Sequence, residues 1–242
     1  MEEALLSRVR STRVALRAQQ IATIFEEFDV QCMQLTHEQR MEKYRKMQES
    51  PFRFYRGSAY LFYYDMTKSP SIFHTLDERP TWIMGDMHMD NFGAFQNEKG
   101  QIVYDVNDFD EGYVGSYLYD LIRMSISIGL YMDEQLIEED AQEQVIRSFL
   151  NSYIKQLGRF QKKKDDAFTL GFTKDNTKGP VKKVLKKLEE RQRSHLLKDI
   201  TEVRDGKRGF VWTEEVHPVP AETYTAIQEV LPGYTIKDIA LK

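Results

Sequence analysis

Gly85-Asp86-Met87-His88-Met89-Asp90-Asn91-Phe92-Gly93 and, further along, Asn107-Asp108-Phe109-Asp110-Glu111 are the two acidic segments from which the fold is read. Between them Ile102, Tyr104 and Val106 alternate with Val103, Asp105 and Asn107, the period of two that marks a half-buried strand. With Phe92 to Phe95 as the first arm and Asn97-Glu98-Lys99-Gly100 as the turn, the pattern predicts an antiparallel hairpin. A hairpin returns the chain to where it left. Asn91 and Asp108 are therefore expected side by side at its open end, with Asp86 a few residues upstream.

Such a cluster suits a hard cation. Magnesium takes oxygen ligands, keeps several waters, and is usually held by one or two protein groups plus substrate phosphates. The amide oxygen of Asn91 and the carboxylate of Asp108 are the candidate metal ligands. Asp86 is left free to act as the catalytic base, taking a proton from an attacking hydroxyl. Asp90 and Asp110, beside the key residues, are read as supporting carboxylates rather than primary ligands.

Gly85-Asp86-x-His88-x-x-Asn91 resembles the catalytic loop of aminoglycoside and choline kinase-type phosphotransferases. Asp108-Phe109-Asp110 is similar to their metal-binding segment, and Gly115 through Asp120-Leu121 to the Gly-x-x-x-x-Asp-Leu that follows it. A second resemblance spans nearly the whole chain. Ser50-Pro51-Phe52-x-Phe54-x-Arg56-Gly57 together with the two acidic segments resembles the bacterial family called domain of unknown function twenty-two fifty-two. The resemblances imply an α+β fold, mostly helical: a protein-kinase-like catalytic (C-terminal) lobe around a small β-hairpin core, with the nucleotide lobe absent or incomplete. They imply ATP as the phosphoryl donor, Mg2+ as cofactor, a small-molecule or protein hydroxyl as acceptor, and loop-bracing roles for His88 and Asp120. They also imply that relatives continue past the point matching Lys242 with a glycine-rich segment and a strand lysine. Val230 to Leu241 is then the last element before a nucleotide lobe.

The chain itself carries no G-x-G-x-x-G, no P-loop and no V-A-I-K-like strand, and the residues before Gly85 read as mainly helical. Phosphoryl transfer needs a cradle and a cation for the phosphates. Without them, affinity for ATP is expected to be no better than about millimolar, roughly -4 kcal/mol. Arg56, beside Gly57 and Ser58, is the candidate phosphate-binding residue, because a guanidinium matches phosphate oxygens in a fork. Its alternative is an arginine stacked on tyrosines or paired with a structural carboxylate. Two other functional classes compete with the kinase-like reading. One is a metal-dependent phosphoesterase with a two-metal site at Asp86, His88, Asp108 and Asp110. The other is a non-catalytic remnant that binds a partner through a basic helix.

Composition adds limits. The 242 residues carry a net charge of -4 and one cysteine, Cys32, which excludes a disulfide framework and is expected to be a small buried hydrophobe. No segment looks like a signal peptide or reaches the ~20 apolar residues of a membrane span, so a cytoplasmic protein without a membrane partner is expected. Residues 155–198 hold fourteen Lys or Arg against five Asp or Glu. Lys182, Lys183, Lys186 and Lys187 surround Val181, Val184, Leu185 and Leu188 as on an amphipathic helix, so the block is read as a solvated face and nucleic acid as an unlikely partner.

Along the chain, a helix over 3–29 is expected to cover the core through Val14, Ile21, Phe25 and Phe28. A second, His37 to Gln48, is expected to be capped by Thr36 with Gln39. Ser50-Pro51 ends it, and the aromatics from Phe52 to Tyr64 are read as core. A strand over Pro80 to Met84 leads into the acidic loop, and helices follow over Tyr119 to Met132 and on to Gln161. Asp205-Gly206 turns between strands Ile200 to Val203 and Phe210 to Thr213, and a helix Ala221 to Leu231 stops at Pro232-Gly233. The domains expected are a helical segment (1–79), the catalytic lobe (80–197) and a small α/β segment (198–242).

Overall fold

The computed structural model describes residues 2–68, 73, 80–190, 200–213, 216–231 and 240–241. Helices dominate, and the strands form small two-stranded sheets, so the structure is mixed α+β as expected. Contacts divide the chain into two compact units, Met1–Gly93 with Asp105–Gly171, and Ala94–Tyr104 with Phe172–Lys242. Residues 79 and 197, where the sequence suggested boundaries, lie outside the described residues.

In the first unit, α1 (Glu2–Phe25) runs into a π-helical turn, Glu26–Cys32, rather than continuing as one α-helix. Met33 N bonds Phe28 O at 2.9 Å, the five-residue spacing of the wider turn. The early part of α1 does not cover the core. Leu5, Val14 and Leu16 are each more than 60% exposed, because Val14 lies half a turn round from Leu5 and no common stripe forms before Ile21. From there Phe25 packs on Tyr44, Phe54 and Tyr60, and Phe28 stacks on Tyr60 with centroids 4.0 Å apart. The wide turn buries Asp29 completely and leaves Cys32 exposed, contrary to its reading as a buried hydrophobe.

Thr36 caps α2 (His37–Met47) through the reciprocal bonds expected, Gln39 N to Thr36 Oγ1 and Thr36 N to Gln39 Oε1. Ser50-Pro51 does more than end α2. Ser50 caps a new short helix, α3 (Pro51–Gly57), where proline occupies a first-turn position that has no use for its missing N–H. α4 (Ala59–Met66) follows. Phe52 and Leu61 are buried, whereas Phe54 and Tyr64 are 37% exposed, so the aromatic stretch is core only in part.

β1 (Thr81–Ile83) leads to the acidic loop, which ends in a 3-10 turn, Met89–Asn91. β2 (Phe92–Gln96) and β3 (Ile102–Val106) form the hairpin that the alternation predicts. β4 (Tyr113–Gly115) pairs antiparallel with β1, a strand that its short sequence does not announce. α5 (Tyr117–Glu134) buries Met124 and Ile128 and packs against α6 (Glu139–Gln161).

The second unit contains α7 (Gly179–Glu190), the antiparallel pair β5 (Thr201–Arg204) and β6 (Lys207–Phe210), β7 (His217–Pro218), α8 (Ala221–Val230) and β8 (Ala240–Leu241), which pairs with β7. Asp205 and Gly206 both have positive φ, 51° and 75°, the requirement of the tight turn that Asp-Gly favours. That two-residue turn starts β6 three residues before Phe210. Pro232-Gly233 lies outside the described residues. Leu185 of α7 is fully buried, Lys183, Lys186 and Lys187 are exposed, and Lys182 is half-buried. Changing these four lysines to glutamine is expected to shift stability by no more than about 0.5 kcal/mol, measured by urea unfolding. Salt-dependent nucleic-acid binding that disappears in the variant would contradict the solvated-face reading. No described helix is long and apolar enough to cross a membrane.

Candidate active site

One face of α5 holds the acidic loop. Asp120, Arg123 and Ser127 are three and four residues apart, hence aligned along the helix. Asp120 accepts from Met84 N at 2.7 Å and from Gly85 N at 3.3 Å. Arg123 Nη2 donates to Asp86 Oδ1, and Ser127 Oγ accepts from Met89 N at 2.9 Å. Residues 84, 85, 86 and 89 are thus fixed by one rigid element. Sequence reasoning singled out Asp120 but not Arg123 or Ser127. Their spacing placed them on one helix face with Asp120, but a polar stripe ordinarily faces solvent, so the spacing alone did not show that this one is buried.

The second acidic segment is pressed against the first. Gly85 has φ +83°, and a Cβ there would lie 2.0 Å from Glu111 O, so only glycine fits. Tyr63 OH donates to Gly85 O from the other side. At the hairpin's open end Asn107 N donates to Asn91 O at 2.9 Å, which makes Asp108 the next residue out. Asp108 and Asp110 are both exposed and have no hydrogen bond or ion pair among the described residues.

Asp86 is 18% exposed. Burial raises its carboxyl to about 7, and the guanidinium of Arg123 offsets only part of this. Arg123 is completely buried, with its guanidinium carbon 4.4 Å from the Tyr55 ring centroid and 5.0 Å from that of Phe62. Its Nε and Nη1 have no hydrogen-bond partner among the described residues. Burial likewise raises Asp120, and the two N–H donors on the loop restrain it.

His88 is buried, with Nε2 3.6 Å from Asp86 Oδ2, beyond a good hydrogen bond, and Nδ1 unpartnered among the described residues. Burial, then the charge of Arg56, lowers the imidazole to about 4, so it is neutral at pH 7. A histidine lowered from 6.5 to about 4 contributes stability above pH 6.5 and loses it as the pH falls towards 4. Wild type is therefore expected to lose up to about 3 kcal/mol relative to His88→Gln between pH 7 and pH 4. Urea unfolding of both at the two pH values checks this; a constant difference would show that the imidazole is not held neutral by burial.

Asn91 is buried, and its Oδ1 accepts from His88 N at 2.7 Å, which leaves one lone pair of that oxygen. Arg56 Nη1 is ion-paired with Asp90 Oδ2 at 2.6 Å, both side chains being about half exposed. The pairing with a carboxylate, one of the alternatives for Arg56, is therefore present. Arg56, Asp86, His88 and Asp108 line one cleft of about 1060 Å³, together with Lys43 and Arg53 from α2 and α3. Asn91 sits in the turn beside it and Asp120 behind the loop.

Among the described residues no group of three or more His, Cys, Asp or Glu converges on a common metal position. The donors at the hairpin's open end are hard oxygens, the amide of Asn91 and the unpaired carboxylate of Asp108. That set fits a magnesium ion which takes its other ligands from water or phosphate.

These elements define a mixed α+β protein whose acidic loop is mounted on a helix, with a titratable carboxyl at the floor of an open cleft. Residues 36–239 match the model of the family described as uncharacterized protein conserved in bacteria (DUF2252), and the chain belongs to that family. No curated protein and no solved structure matches it significantly.

Proposed function

We propose that this chain is the catalytic lobe of a kinase-like phosphotransferase, moving the terminal phosphoryl group of ATP to a hydroxyl acceptor. The observation that carries the reading is Asp86: a carboxyl raised to about 7, fixed by α5 and open to a cleft. A general base works best with a pKa near the operating pH. Asp86 accepts the proton of the acceptor hydroxyl as its oxygen bonds to phosphorus. The bond from that phosphorus to the bridging oxygen breaks, and ADP carries away the electron pair. Asp120 and Ser127 keep the loop from drifting, and Arg123 keeps the carboxylate aimed. A magnesium ion held by Asn91 and Asp108 would supply positive charge to the phosphate oxygens. The test is phosphate transfer or release from ATP with magnesium, followed by phosphorus NMR, in wild type and Asp86→Asn.

A further inference from the structure

The sequence offers no phosphate cradle of a familiar kind, yet the folded chain brings cations to this cleft from elsewhere. Lys43 of α2 lines it and is held in a fixed pose. Its Nζ is 2.7 Å from Oδ1 of the fully buried Asp29, whose Oδ2 also accepts from Tyr44 OH at 2.9 Å and Tyr60 OH at 3.3 Å. The ammonium sits 4.9 Å from the Tyr60 ring centroid, and the side chain remains 25% exposed. One of its three N–H donors is taken by Asp29, so others are available to a ligand.

Lys46 of α2 and Arg53 and Arg56 of α3 line the same cleft. The two helices are locked together where Gly57 meets Met47: a Cβ on Gly57 would lie 2.6 Å from Met47 Cγ. The four cations are thus presented as a set. Lys46, Arg53 and Arg56 pair with Glu42, Glu49 and Asp90, all exposed by 40% or more. Exposed pairs of this kind hold weakly, whereas a phosphate offers a guanidinium two parallel charge-assisted bonds. The lining also carries Arg45 and the carboxylates of Glu38, Glu42, Asp86 and Asp108, and its large apolar side chains are Met41 and Met47.

We propose that this cleft binds a di- or triphosphate chain, held by Lys43, Lys46, Arg53 and Arg56, with its terminal phosphate directed at Asp86. The proposal rests on the phosphotransferase reading for its direction, and it locates the cation that the sequence motifs lack. Free polyphosphate and the phosphates of a nucleotide share this chemistry, so both are used as probes.

Calorimetry on the whole chain, at low salt and without divalent metal, measures binding of inorganic tripolyphosphate and of ATP. Tripolyphosphate is expected to bind at least about tenfold more tightly than the millimolar affinity expected from the motifs. The triple variant Lys46→Gln, Arg53→Gln, Arg56→Gln should weaken both ligands by at least about tenfold, the loss of one charge-assisted contact. Its melting temperature should stay near wild type, since all three side chains are exposed. Lys43→Met should also weaken binding, but it strands Asp29, so the triple variant decides. No binding of either ligand, unchanged affinity in the triple variant, or binding of ATP without tripolyphosphate would overturn the proposal. Asp86→Asn is expected to retain tripolyphosphate. Failure of the cradle is thereby separable from failure of the base, which is read by turnover alone.

Discussion

At pH 8, replacing Arg123 by methionine is expected to destabilise the chain by about 3–5 kcal/mol, the loss that follows when a buried charge is left without its partner. Methionine lacks the guanidinium whose carbon lies over the Tyr55 and Phe62 rings, so those contacts are lost at every pH, whereas the effect on Asp86 depends on pH. What remains is Asp86, buried to 18% exposure with no cation beside it. Its carboxyl, already raised to about 7, rises further. A carboxyl with a folded pKa above its unfolded value contributes stability at low pH and loses it as the pH rises through the folded pKa. At pH 5 the carboxyl is protonated in both proteins, and the variant's loss should be smaller than at pH 8 by about 1.4 kcal/mol, because the wild-type carboxyl, at about 7, ionises over only the last pH unit. Between these limits the slope should approach about 1.4 kcal/mol per pH unit at most. Urea unfolding at both pH values provides the measurement. An equal loss at pH 5 and pH 8 would show that Arg123 acts through packing rather than through its charge on Asp86.

Turnover should fall by about 10²–10⁴-fold in Asp86→Asn, the range that a positioned general base contributes. Asparagine keeps the shape and can still accept from Arg123, but it cannot take a proton. The pH profile of wild type carries the same information with its own sign. The base must be ionised to act, so kcat/KM should rise with pH and level off above about 7, the value to which burial raises Asp86. In Arg123→Met that rise should move to higher pH, because burial, no longer opposed by the guanidinium, favours the protonated form. A flat profile through pH 7, or an Asp86→Asn protein with wild-type turnover, would remove Asp86 from the reaction.

Much of the scaffold around the site was legible because its signals are local. The alternation from Ile102 to Asn107 marks the hairpin, and the hairpin alone brings Asn91 and Asn107 within a hydrogen bond. Thr36 with Gln39 marks the start of α2, and Asp205-Gly206 marks a turn with two positive φ values. Each depends on residues a few positions apart. The misreadings fall where spacing along the chain does not decide the outcome. Val14 belongs to a numerical stripe but is 64% exposed. Cys32 is exposed because the π-helical turn sends Asp29 inward instead.

By itself the sequence determined the acidic loop, the hairpin that pairs its end with the second acidic segment, and the mostly helical α+β class. These follow from backbone periodicity, capping and turn chemistry, which act over a few residues. Only the tertiary structure decided that Arg123, 37 residues downstream, is the buried partner of Asp86. It alone gathered Lys43, Lys46, Arg53 and Arg56 round the same cleft. Charge–charge and burial energies depend on distance through space, and a buried carboxyl acquires its pKa from whichever groups the fold places beside it.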